Sequence, residues 1–75
     1  MIFDKVKEIL IEELGLEDEI NLTDNLKDDL DADSLDLAEV VINLEEAFGI
    51  EIPEEDYPKF KTVKDIVDFI DSKLK

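Results

Sequence analysis

Three stretches of this chain place apolar residues three and four positions apart, a spacing that suits little besides amphipathic helices packed on one another. In the first, Phe3, Val6, Leu10 and Leu14 share one side of a helical wheel, with Glu8, Glu12 and Glu13 elsewhere. Gly15 follows directly, where a left-handed residue commonly ends a helix and glycine adopts that conformation without a Cβ clash. The second stretch runs from about Ser34 to Phe48, with Leu37, Val41, Leu44 and Phe48 in register and Gly49 as its stop. In the third, Thr62 and Asp65 have the capping-box pattern, and Val63, Ile66, Val67, Ile70 and Leu74 form the stripe.

The intervening segments fit the same plan. Residues 16–33 are rich in Asp and Asn but carry Leu16, Ile20, Leu22, Leu26 and Leu30, a set able to pin an ordered loop to the core, with a helical turn near Leu26. Ile50 to Ile52 is too short and isolated to seed a sheet. Pro53 followed by Glu54, Glu55 and Asp56 predicts a short helix with proline at its first position, ended by Pro58. The expected fold is all-α: a small bundle of three main helices plus one short helix, with a long ordered loop between the first two main helices, in a single domain over residues 1–75.

Size and composition narrow the function. A chain of 75 residues builds a thin core, with no room for an enclosed catalytic cavity, which disfavours an enzyme. It has neither cysteine nor histidine, so disulfides, Cys nucleophiles and Ser-His-Asp arrangements are excluded, and a zinc site loses its usual ligands. The net charge of −15 repels nucleic-acid phosphates and anionic lipid heads and favours basic protein surfaces. The charged N-terminal stretch fits neither a signal peptide nor a membrane span, so the expected location is cytoplasmic, without membrane insertion.

The informative segment is Asp31-Ala32-Asp33-Ser34-Leu35-Asp36, where the long loop becomes the second helix. Asp and Ser there are ordinary helix-start residues, and a plain cap is one reading. If Asp33 is the cap, however, Ser34 occupies the first helical position, its hydroxyl free and close to unpaired N–H groups that suit a phosphodiester. Without a histidine to activate it, such a serine is an acceptor for something another enzyme attaches. On the wheel, Leu35, Glu39, Ile42 and Glu46 fall opposite the core stripe, so two aliphatic side chains stand among carboxylates, as in a protein-docking strip, unless the loop covers them.

Asp33-Ser34-Leu35 ahead of Asp36-Leu37-Ala38-Glu39-Val40-Val41, then Leu44 through Pro53 (LEEAFGIEIP), Leu26 through Leu30, and Thr62 through Ile66 together resemble the type II acyl carrier proteins of bacterial fatty acid synthesis. The likeness covers nearly the whole chain. It implies that Ser34 receives 4′-phosphopantetheine from coenzyme A through a phosphopantetheinyl transferase, with Asp33 and Leu35 as flanking motif residues. It implies that the arm holds acyl chains as thioesters, and that the chain transports and presents, as a monomer, while partner enzymes catalyse. Asp36, Glu39, Ile42, Glu45 and Glu46 match the family's recognition helix, read by basic patches on synthases, reductases, dehydratases and acyltransferases. Two features depart from the family: Asp31 stands where glycine is usual, and the Tyr57-Pro58 pair is untypical of the short helix.

Other readings remain. Asp29, Asp31 and Asp33 alternate like the first ligands of an EF-hand calcium loop, but position six is Ser34 rather than glycine and position twelve is Val40 rather than glutamate. A carrier of the same fold could serve polyketide, peptidyl or D-alanyl chemistry. An inert acidic scaffold is the remaining alternative.

Overall fold

The computed structural model describes residues 2–17 and 19–75. Helix α1 spans Ile2–Leu14, α2 Ser34–Phe48 and α3 Val63–Leu74, with a 3-10 helix over Glu54–Lys59 between the last two. The expected order of three main helices, one short helix and a long loop is the observed one. Helix α1 packs against both α2 and α3. Among the described residues no helix is long and apolar enough to cross a membrane.

The core takes Val6, Ile9 and Leu10 from α1, Val40, Val41 and Leu44 from α2, and Val63, Ile66 and Ile70 from α3. This corrects the predicted stripes in detail. Ile9 and Val40 are buried, whereas Phe3, Leu14, Leu37 and Phe48 are only half-buried. A helix wedged between two neighbours buries a wider sector over fewer turns than a single line of spaced residues describes. Burial along α3 stops at Ile70, and Leu74, expected in the stripe, is 49% exposed. Phe60 and Phe69 meet edge to face, with ring centroids 5.3 Å apart.

The long loop is ordered for two reasons. Ile20, Leu26, Leu30 and Ala32 are buried in the common core. Its backbone also lies on the start of α3, where Leu22 O and Asp24 O accept the N–H groups of Lys64 and Val63 at 2.9 and 3.1 Å. These are donors that a helix cannot pair internally. Thr62 Oγ1 accepts the next one, from Asp65, at 3.3 Å, and Asp65 Oδ2 accepts the Lys61 and Thr62 N–H groups at 3.0 Å. Burial alone would push the Asp65 carboxyl up, but these backbone donors, the Thr62 hydroxyl and nearby Lys64 hold it below its ordinary value.

The helical turn near Leu26 is present. Asn25 Oδ1 accepts the N–H groups of Lys27 and Asp28 at 3.1 Å, and Asp29 Oδ2 accepts that of Asn25 at 2.6 Å. The Asp and Asn side chains of this loop therefore serve as local backbone partners.

The short helix differs from expectation at both prolines. Pro53 is its cap rather than its first residue, and the helix continues through Pro58 to Lys59. The run is 3-10, with each N–H bonded three residues back, so the missing donor at Pro58 removes one bond without breaking a long ladder.

Candidate functional site

Ser34 is held by the segment on its N-terminal side. Leu26 N–H donates to Lys61 O at 2.9 Å, and Ala32 N–H donates to Leu26 O at 2.8 Å. The buried Ala32 thereby fixes the chain two residues before the serine. Asp33 is the N-cap in extended conformation, its Oδ1 accepting Asp36 N–H at 2.9 Å, and Asp36 Oδ2 accepts Asp33 N–H at 3.4 Å, a reciprocal capping box. Ser34 is thus the first helical residue and is exposed. Its hydroxyl makes no hydrogen bond among the described residues, because Asp33 already does the capping. The positive end of the 15-residue α2 lies at this point and favours an anionic substituent.

Asp31 has φ 57°, the left-handed region that glycine enters without cost, and it is the one described non-glycine residue found there. This gives a physical reason for glycine at the equivalent position in the resembling family. Asp31→Gly is expected to stabilise the fold by about 0.5–1 kcal/mol in urea unfolding. Asp31→Asn, which removes the charge and keeps the side chain, should recover less than half of that. Equal gains from both would assign the effect to charge rather than to backbone.

Beside Ser34 opens a cleft of about 450 Å³, between the loop, the start of α2 and the 3-10 helix. Leu26, Ala32, Leu37 and Phe60 give it apolar walls, and Tyr57 and Pro58 stand along one side. Burial, then the neighbouring carboxylates of Glu45 and Glu54, push the Tyr57 phenol above its ordinary value. The cleft walls come from three separate segments. No single periodic pattern unites them, which is why sequence reading missed the cleft while singling out Leu26, Leu37 and Tyr57-Pro58 for other reasons.

The expected docking strip is exposed. Leu35 is 75% and Ile42 54% accessible, with Glu39 and Glu46 also open to solvent. Asp36 and Glu45, assigned to the same face by resemblance, are placed differently. Both are half-buried and turned to backbone, Asp36 in the capping box and Glu45 with its Oε2 accepting Ile52 N–H at 2.9 Å. Asn43 ties α2 to α1 by donating to Glu13 Oε1, and also donates to Glu39 O one turn back in its own helix.

Of the three acids that alternate like a calcium loop, Asp29 and Asp33 accept backbone N–H groups instead. Among the described residues no group of three or more acidic side chains is placed to hold a metal ion.

The profile of the phosphopantetheine attachment site matches residues 4–70 of this sequence. The chain belongs to the phosphopantetheine-attachment family. Its cofactor is accordingly covalent 4′-phosphopantetheine, and it carries groups rather than transforming them. The same fold is found in a protein from Anaplasma phagocytophilum assigned as an acyl carrier protein, 41% identical, with TM-score 0.88 over 99% of this chain and 89% of that one. A Mycobacterium tuberculosis protein with the same assignment is 27% identical, with TM-score 0.92 over 97% of this chain and 99% of that one. The resemblance to acyl carrier proteins is upheld in fold and family. An exposed serine with an unengaged hydroxyl, at a helix start and beside an apolar cleft, fits what a phosphopantetheine-attachment chain has to offer its cofactor.

Proposed function

We propose that residues 1–75 form a single acyl carrier domain that holds acyl intermediates as thioesters on a 4′-phosphopantetheine arm attached to Ser34, and presents them to enzymes of fatty acid or related biosynthesis. The observation that carries the assignment of Ser34 is its place as the first residue of α2, exposed, with Asp33 rather than its own hydroxyl capping the helix. In the attachment step Ser34 Oγ attacks the phosphorus on the pantetheine side of the coenzyme A diphosphate. The Oγ–P bond forms, the bond to the nucleotide phosphate breaks, and 3′,5′-ADP leaves. With no histidine in this chain, the serine proton passes to a base of the transferase. Asp33 and Leu35 flank the serine, one fixing the helix start and the other opening the apolar strip to the transferase. Incubation with coenzyme A and a broad-specificity phosphopantetheinyl transferase is expected to add one arm, located by fragment mass spectrometry to the peptide containing Ser34. An arm found on any other residue would overturn the assignment.

The exposed strip of Leu35, Glu39, Ile42 and Glu46 is the proposed docking face for basic partner surfaces, with Asp36 and Glu45 acting at its borders through the backbone they hold. The charge of −15 supports this polarity of attraction and supports a monomeric protein kept apart from others of its kind. Glu39→Lys should lower the association rate with a transferase or cognate synthase several-fold at low salt, and the effect should fade as salt is added. Ile42→Ala should instead raise the dissociation rate with little salt dependence. Surface binding kinetics at two ionic strengths would separate them. If Ile42→Ala melts the domain and leaves kinetics unchanged, the strip is misplaced.

A further inference from the structure

Asp31 stands three residues before Ser34 and holds a backbone conformation that aspartate adopts only at a cost, with φ 57°. Its neighbours enforce that conformation. Leu30 and Ala32 on either side are buried, and their N–H groups donate to Asn25 O at 3.1 Å and to Leu26 O at 2.8 Å. With both flanks anchored the chain between them cannot relax, and the Asp31 side chain is left exposed. An aspartate in the left-handed region can offset the strain with a local hydrogen bond. Among the described residues the Asp31 carboxylate makes none, and no lysine pair includes it. The other acids between residues 29 and 36 are engaged. Asp29 Oδ2 accepts the Asn25 N–H, Asp33 Oδ1 that of Asp36, and Asp36 Oδ2 that of Asp33. Asp31 therefore gives the fold nothing that glycine would not supply at lower cost, and what remains is an unpaired negative charge facing solvent beside the attachment serine.

We propose that Asp31 is a specificity-determining residue for the phosphopantetheinyl transferase, pairing with a basic side chain that this enzyme brings to the loop side of Ser34. The inference rests on Ser34 as the attachment point and extends the docking face across it, from Leu35, Glu39, Ile42 and Glu46 on α2 to the loop. Coenzyme A brings anionic phosphates to the serine, so the enzyme that presents them must bring cations to the same place. Three steps along the chain span at most about 11 Å, which puts an acid at position 31 within reach of that cationic rim. Enzymes that act on cargo work at the far end of the arm. The transferase is the partner whose chemistry falls at the serine itself.

Transferase kinetics with the protein lacking its arm as the varied substrate separate charge from backbone, because Asp31→Asn removes the charge alone and Asp31→Gly removes charge and strain together. With the phosphopantetheinyl transferase of the native cell, both variants are expected to raise KM for the carrier about two- to fivefold at low salt, as loss of one exposed ion pair would, with kcat unchanged. The difference from the parent should fade at moderate salt. Stability divides the two variants differently, rising chiefly in Asp31→Gly, so a merely structural role would make the kinetics track urea unfolding. An unchanged KM in Asp31→Asn, a KM that shifts only in Asp31→Gly, or a KM that falls on removal of the charge would each overturn the inference, the last by showing that the acid repels the coenzyme A phosphates. A broad-specificity transferase should load Ser34 fully in the parent and in both variants. Loss of loading in the variants alone would also overturn the inference, by making Asp31 necessary to the reaction rather than to recognition. If the parent takes up no arm on Ser34 from either enzyme, the carrier reading itself fails, a result distinct from any change in KM.

Discussion

Ser34→Ala is expected to abolish arm attachment completely while changing stability by no more than about 0.5 kcal/mol, the range for an exposed substitution that removes no internal contact. The separation follows from the division of labour at the start of α2. Asp33 accepts the Asp36 N–H and so does the capping, while the serine hydroxyl engages nothing in the protein. Asp33→Ala should behave in the opposite sense, costing about 1–2 kcal/mol of stability and slowing attachment without preventing it, since the nucleophilic oxygen remains but its frame is loosened. The other aliphatic hydroxyls are poor substitutes. Thr62 Oγ1 caps α3, and Thr23 and Ser72 lack the Asp-Ser-Leu setting. Intact mass after transferase treatment, read beside thermal unfolding of each variant, checks both halves. An arm persisting on Ser34→Ala sinks the assignment, and a large loss of stability in that variant would show that the hydroxyl has a structural task.

The helix ends were legible because their causes are local. Gly15 and Gly49 each adopt φ 65°, and Thr62 with Asp65 builds the predicted capping box. The Asp33 cap was legible for the same reason, since the pattern lies within four residues of chain. The breadth of the core was not, because Ile9 and Val40 become buried only through the placement of neighbouring helices. The passage of the 3-10 helix through Pro58 was missed because the rule applied to that proline concerns α-helices. Asp36 and Glu45 show a different gap: spacing can assign a carboxylate to a helix, but not reveal that Ile52 N–H, seven residues beyond Glu45, will claim it. The cleft required the folded chain, because its walls come together only when the loop docks on the start of α3.

Leu44→Ala is expected to leave much of the population unfolded at low ionic strength and to be partly rescued by salt. Leu44 is fully buried, at 0% exposure, in the face of α2 that meets the rest of the core. Truncating such a leucine costs about 2–5 kcal/mol, through lost apolar contact and the cavity left behind. A domain of 75 residues has about 4–11 kcal/mol to lose. Its own charge reduces that margin, since −15 must be held within principal extents of 30 × 25 × 19 Å. The ion pairs Lys7–Asp4, Lys59–Asp56, Lys64–Asp68 and Lys75–Asp71 are all local, three or four residues apart, and offset little of it. Raising salt from about 0.01 to 0.15 M shortens the screening length from about 30 Å to about 8 Å, from longer than most of the molecule to less than half its smallest dimension. Repulsion between opposite sides then disappears while the cavity remains, so salt should raise the melting temperature of the parent and of Leu44→Ala by similar amounts without closing the gap between them. Circular dichroism melts of both proteins at the two salt levels measure this directly. A melting temperature that does not move with salt in either protein would show the repulsion to be negligible, and a gap that closes with salt would show that the variant's deficit is electrostatic rather than a loss of packing.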